Sequence, residues 1–230
     1  MERYVWCEDS GSGLQFWENI FSIIDDSIHV QSKGNNTRLR QASEKIYDDG
    51  NLYFIIIDCA LDNPDVLREL KQLHNGIKGK KNVKVINIPS FEYALLSFEY
   101  LENWIFAETD ALKEKRSVFL TARRSFVDIQ ENGGDSMRLS ELKGNLMLAD
   151  NINTEQLSAK LLYSITRNTG FETDKGYLGK CFYLNCCDWE ERQQDDICGL
   201  DDNRKNKKEK MNDIVKYSIL KQEFQRVGLL

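Results

Sequence analysis

Three carboxylates stand where a metal-dependent reaction would need them. Glu8 ends the strand-like run Arg3-Tyr4-Val5-Trp6-Cys7, and Asp58 and Asp62 follow the apolar run Leu52-Tyr53-Phe54-Ile55-Ile56-Ile57. A hard divalent cation, Mg2+ or Mn2+, takes oxygen ligands and keeps several waters, so two or three carboxylates from neighbouring strand ends suffice. Glu8, Asp58 and Asp62 are the candidate metal ligands, and Glu8 can also serve as a general base. Lys33, in the turn Ser32-Lys33-Gly34-Asn35, is the candidate phosphate contact. The competing reading is local: Glu8 as an exposed strand end, Asp58 and Asp62 as the stop of a strand and the cap of a helix opening at Pro64.

Thiols are the second group with chemistry in them. Cys181, Cys186, Cys187 and Cys198 fall within eighteen residues, whereas Cys7 and Cys59 lie in apolar runs. Four thiolates could hold a structural Zn2+, but the spacing fits no standard finger. His29 and His74, the only histidines, offer little to complete such a set. Core thiols are the simpler expectation, with Phe182-Tyr183-Leu184 read as a strand through a core; zinc and redox use stay open. No local signature of a nucleophilic cysteine surrounds any of the six, and no Walker pattern is present.

The elements that must position these residues follow from periodicity. Strands are expected at Arg3 to Cys7, Ile28 to Val30, Leu52 to Ile57 and Val83 to Ile88. The third, apolar and β-branched throughout, suits a central strand covered on both faces. Between them, helical spacing runs over Leu14 to Ile24, Thr37 to Tyr47 and Asp65 to Leu73, and beyond them over Phe91 to Ala107. Alternating strands and helices give an α/β fold with a mostly parallel sheet flanked by helices. Glu8, Ser32-Lys33-Gly34 and Asp58 then all fall at C-terminal strand ends, where such sheets gather their functional residues.

After about residue 110 the pattern changes. The expected division is an α/β domain over 1–110 and a mainly helical, Cys-containing region over 111–230. Ser117 to Leu120 reads as a short strand or helical turn, Glu131 to Ser136 as a loop, and Thr154 to Thr166 as a helix. One last amphipathic helix is expected from Met211 to Val227. Such helices usually face their own core, and a partner contact is the alternative.

In their order along the chain, these motifs resemble TOPRIM domains. Val5-Trp6-Cys7-Glu8 matches the first TOPRIM motif, and Asp58-Cys59-Ala60-Leu61-Asp62 matches the second at its first and last aspartates. Ser32-Lys33-Gly34-Asn35 and Pro89-Ser90-Phe91-Glu92-Tyr93-Ala94-Leu95-Leu96 are similar to segments of the OLD-type branch. The resemblance covers residues 3–107. It implies a magnesium-dependent phosphodiester-cleaving nuclease acting on DNA or RNA, in the setting of bacterial antiviral defence or mobile elements, with an ATPase partner. Ala60 stands at the middle aspartate of the pattern, and Asp9 where a glycine usually follows the glutamate. A catalytically degenerate TOPRIM-like binding or assembly subunit is therefore the alternative.

Composition narrows the classes. A formal charge of −6 argues against a uniformly basic nucleic-acid binder. Lysines and arginines nevertheless cluster at 78–84, 113–124 and 205–210, as solvated faces in the plainest reading. No apolar run reaches the roughly 18 residues of a membrane span. The N-terminal residues enter a strand without the layout of a secretory signal, so the expected location is the cytoplasm.

Overall fold

The computed structural model describes residues 1–187 and 198–230. Four strands, β1 (Arg3–Cys7), β2 (Ile28–Ser32), β3 (Leu52–Asp58) and β4 (Val83–Ile88), form one sheet in the order β2-β1-β3-β4, and every pairing is parallel. The order reverses at β1. From β1 the chain passes through α1 (Ser12–Ile24) to β2 on one side, then through α2 (Asn36–Glu44) to β3 on the other. The crevice between β1 and β3 is thus the topological switch point, where open α/β sheets bind ligands. Cys7 pairs with Ile56, so Glu8 and Asp58 leave adjacent strands at almost the same level.

The pleat sorts the strand residues into two cores. Tyr53, Ile55, Ile57, Val83 and Val85 face α2 and α3 (Pro64–Gly76), with Leu39 and Leu73 buried against them. Val5, Cys7, Phe54, Ile56, Ile86 and Ile88 face the other way, onto α1 and the helices that follow β4. β3 therefore has no polar face before Asp58, in keeping with its unbroken apolar run. Local signals set the helix starts. Pro64 sits in the first turn of α3 behind the Asn63 cap, and a capping box of Asn153 and Gln156 starts α9 (Thr154–Thr166).

The large core does not stop near residue 110. It runs from Val5 through Phe126, Leu157, Leu161 and Phe171 to Phe224 and Leu229. The regular elements after β4 are all helices among the described residues, from α4 (Phe91–Leu96) and α5 (Leu101–Ile105) through α6 (Ala111–Lys115), α7 (Ser117–Glu131) and α8 (Ser136–Asn145) to α9. They continue with α10 (Lys180–Tyr183), α11 (Lys207–Lys216) and α12 (Leu220–Val227).

Several expected elements change. The single helix over Phe91 to Ala107 is two, because the buried guanidinium of Arg123 donates to the carbonyls of Leu96 (2.7 Å) and Phe98 (2.6 Å). Those bonds satisfy groups that a continuous helix would have used itself. The last helix is also two, and its break meets the first: Glu99 N–H donates to Tyr217 O (2.9 Å), and Ile219 N–H to Ser97 Oγ (3.2 Å). Ser117 to Leu120 opens a fifteen-residue helix. Phe182-Tyr183-Leu184 is not a strand, since Lys180–Tyr183 is one helical turn; three apolar residues cannot separate the two periods.

α12 packs on its own fold. Phe224 lies against Phe21 at 5.4 Å between ring centroids. On the outer edge of β4, Glu223 accepts from Asn87 N–H (2.9 Å) and Arg226 donates to Val85 O (2.7 Å). Side chains of a helix thereby finish an edge strand that would otherwise be open to pairing with another chain. Among the described residues no helix is long and apolar enough to cross a membrane.

Candidate active site

Glu8 and Asp58 come together at the β1–β3 crevice, and three further carboxylates join them. Asp9 follows Glu8; Glu92 lies in the first turn of α4, and Glu155 in the first turn of α9. The connectivity brings the last two close: Pro89-Ser90 turns the chain from the end of β4 into α4, and α9 packs against α4.

The electrostatics show how closely these five groups sense one another. Asp58 is buried, and its carboxyl is raised well above the usual range, by burial first and then by repulsion from Asp9, Glu8, Glu155 and Glu92. Burial, followed by the charges of Asp9 and Glu155, pushes Glu8 up to about 7, although hydrogen bonds from the side chain and backbone of Asn36 oppose the shift. Asn36 is the first residue of α2, so the positive end of that helix points at Glu8. Asp9 rises to about 6 through burial, against the hydrogen bond from Trp17 Nε1 at 2.7 Å. Glu92 rises to about 7 through burial, against a hydrogen bond from Ser90. Glu155 is raised by burial and partly relieved by Lys175. Carboxylates crowded in low dielectric favour proton uptake or a cation, because each ionised form disfavours the next.

Two glycines make room for this cluster. A Cβ on Gly13 would lie 2.3 Å from Asp9 Oδ1, so the bare backbone of α1 lets that carboxylate fold back onto Trp17. Gly11 has φ +58°, and a Cβ there would lie 2.9 Å from Lys175 O. Ser12 Oγ also donates to Asp174 O (2.7 Å), which fixes the segment carrying Lys175 over the end of β1.

The other expected site residues sit differently. Asp62 Oδ1 accepts from Thr154 N–H at 2.9 Å, and Oδ2 lies 3.7 Å from Lys143 Nζ. Its carboxylate thus docks the N-terminus of α9, the helix that delivers Glu155. Lys33 Nζ is 3.7 Å from the centroid of the Trp6 ring and 3.0 Å from Gln31 Oε1, beside the strand end and turned onto the α2–α3 face of the sheet. Ala60 is fully buried. Among the described residues, no three His, Cys, Asp or Glu side chains stand as a group that could hold a metal ion.

Glu92 and Glu155 were missed as site residues. Glu92 lies in the Pro89-Ser90-Phe91-Glu92 segment already singled out, so its signal was present. Glu155 had no sequence signal beyond an acidic first helical turn. The basic clusters, in turn, are partly spent inside the fold. Lys80 caps the end of α2 through the carbonyls of Glu44 (2.6 Å) and Ile46 (2.5 Å), and Arg116 bonds those of Ile165 and Arg167. Burial pushes the Cys59 thiol up to about 12, which leaves it a poor nucleophile at neutral pH.

No family model, no curated protein and no solved structure matches this chain.

Proposed function

We propose that the chain is a TOPRIM-type, divalent-metal-dependent nuclease whose active site is the carboxylate cluster at the β1–β3 crevice. The observation that carries this reading is the convergence of Glu8, Asp9, Asp58, Glu92 and Glu155 at a topological switch point, with their carboxyls all raised. The donor set suits Mg2+ or Mn2+: it is all oxygen, and it gathers more negative charge than the neighbouring Lys175 offsets. Glu8 and Asp58 are the ligands of choice, and Glu92 or Glu155 would have to rotate toward them to complete the set. Such an ion stabilises charge developing on a phosphate oxygen and lowers the pKa of a bound water.

The chain's own groups do the rest. A carboxylate of the cluster that is not bound to the ion, Glu92 or Glu155, can accept the proton of an attacking water. Lys175, which acts on Glu155, can contact a phosphate at the crevice, and Lys33 could do so only after leaving Trp6 and Gln31. Asp62 acts through Thr154, keeping α9 and Glu155 in register. DNA or RNA is the substrate class, and an ATPase partner and a role in antiviral defence belong to the same proposal.

A second reading has its own support. Ala60, apolar and buried, supplies no oxygen where the TOPRIM pattern has one, and the carboxylates must move to meet a metal. On that reading the domain is a degenerate binding or assembly subunit. Labelled single- and double-stranded DNA and RNA, incubated with Mg2+ or Mn2+, distinguish the two. A nuclease cleaves, and Glu8→Ala and Asp58→Ala each lower the rate by at least about a hundred-fold. Absence of cleavage, together with no Mn2+ binding at millimolar concentration, would establish the binding subunit.

A further inference from the structure

We propose that Cys181, Cys186, Cys187 and Cys198 bind a structural zinc ion, separate from the carboxylate cluster. The fold brings these four thiols to the lining of one cavity of about 10 Å³, closed by Phe171, Leu200 and Asp201. That volume suits a single ion or water and excludes any small-molecule substrate. Cys181 comes from α10, Cys186 and Cys187 from the turn after it, and Cys198 from the segment leading towards α11. At Cys187 the backbone takes the left-handed conformation, φ +63°.

The surroundings are those of a thiolate centre. Leu200 N–H donates to Cys198 Sγ and Lys205 N–H to Cys186 Sγ, both at 3.3 Å. Amide donors of this kind stabilise sulfur that carries charge and orient it toward a metal. Four thiolates and Zn2+ leave a net charge of −2, and two cations stand beside them. Lys210, fully buried, is fixed by its bond to Cys181 O (2.6 Å), and Lys205 is held by Asp213 at 2.9 Å. Among the described residues the buried Lys210 ammonium has a carbonyl as its partner, and a thiolate centre nearby would balance its charge. Binding releases four protons to solvent, one from each thiol, including the one that Cys198 now directs at Trp104 O (3.4 Å). The thiols turn about their χ1 bonds to converge, because no three described ligand side chains yet form a metal-holding group.

The ion would clasp three elements. Gly199 N–H donates to Trp104 O (3.1 Å), and a Cβ on Gly199 would lie 1.8 Å from Asn103 O, so this segment is pressed onto α5. Zinc would join that contact to α10 and the start of α11.

The full chain, purified under reducing conditions from zinc-supplemented cells, tests the proposal by metal content and by Co2+ substitution. One zinc per chain is expected. With Co2+, intense visible bands of a tetrahedral site and sulfur-to-cobalt charge transfer in the near ultraviolet are expected. Carboxylate-bound Co2+ gives neither, so failure of this proposal and failure of the nuclease reading are read separately. Cys181→Ser and Cys198→Ser should retain at least about ten-fold less zinc after dialysis against a weak chelator, and Cys59→Ser should retain it fully. Should the cluster variants fail to fold, the Co2+ spectrum of the unaltered chain decides. A chain that carries no zinc, and whose Co2+ spectrum lacks charge transfer, overturns the proposal.

Discussion

Asp58 concentrates the cost of the carboxylate cluster in one side chain. It is buried, and four other carboxylates act on it. In metal-free protein, Asp58→Asn removes that repulsion while keeping the shape, so thermal stability at pH 7 should rise by about 1–3 kcal/mol even as any metal-dependent activity is lost. A fall in Tm would mean that the ionised carboxylate is compensated after all. The pH dependence has a definite sign. Glu8 and Glu92 rise from 4.5 to about 7 and Asp9 from 3.8 to about 6, so the folded chain holds these protons more tightly than the unfolded chain. As far as these groups are concerned, stability of the chelator-treated chain is therefore greatest below about pH 4, under their unfolded values. It falls as pH rises from about 4 to about 7, and levels off above that. Melting curves across this range should show the decline, and Mg2+ or Mn2+ should flatten it; a decline unchanged by either ion would count against a metal at the site. Gly13 gives the steric counterpart. Gly13→Ala places a methyl 2.3 Å from Asp9 Oδ1, must displace that carboxylate from Trp17, and should cost about 1–3 kcal/mol by chemical denaturation. A neutral result would show that Asp9 moves freely.

Among the elements, α9 depends most on a contact far away in sequence. Its own capping box starts the helix, but the bond from Thr154 N–H to Asp62 sets where that start lies on the sheet. If Asp62 positions the helix and does not ligate a metal, Asp62→Asn should keep most of the activity, because the amide oxygen still accepts from Thr154. Asp62→Ala should lose stability by about 1–2 kcal/mol and activity with it. Equal loss of Mn2+ affinity in both variants would instead make Asp62 a ligand, as its place in the motif suggested. The paired breaks at Ser97–Tyr100 and Tyr217–Ile219 show why helix ends near each other in space are hard to read. Each break is stabilised by groups from the other, and the first also by an arginine twenty-five residues on from Phe98, none of which leaves a local turn signal.

At the scale of the whole molecule, the sheet and the C-terminal helices share one large core. Removing residues 111–230 would expose the face formed by Val5, Phe54, Ile56 and Ile86 and strip α12 from the edge of β4. A fragment of residues 1–110 should therefore aggregate or lack near-ultraviolet dichroism, with strong binding of a hydrophobic dye. A cooperative melt of that fragment would show instead that the sheet region stands alone.

The strands, their mostly parallel pairing and the positions of Glu8 and Asp58 at C-terminal strand ends were legible in the chain itself. They rest on local patterns: a short apolar, β-branched run bounded by turn residues suits a covered strand, and alternation with amphipathic helices favours parallel pairing. Thr154 to Thr166 was legible for the same reason, through cap and period together. Tertiary structure alone decided the rest. It brought Glu92 and Glu155 to the cluster, turned Asp62 toward Thr154 and Lys143, laid Lys33 on Trp6, and gathered four irregularly spaced thiols at one cavity. These outcomes depend on how α4, α9 and α10 dock on the sheet. Docking is set by burial summed over many side chains, which no short stretch of sequence carries.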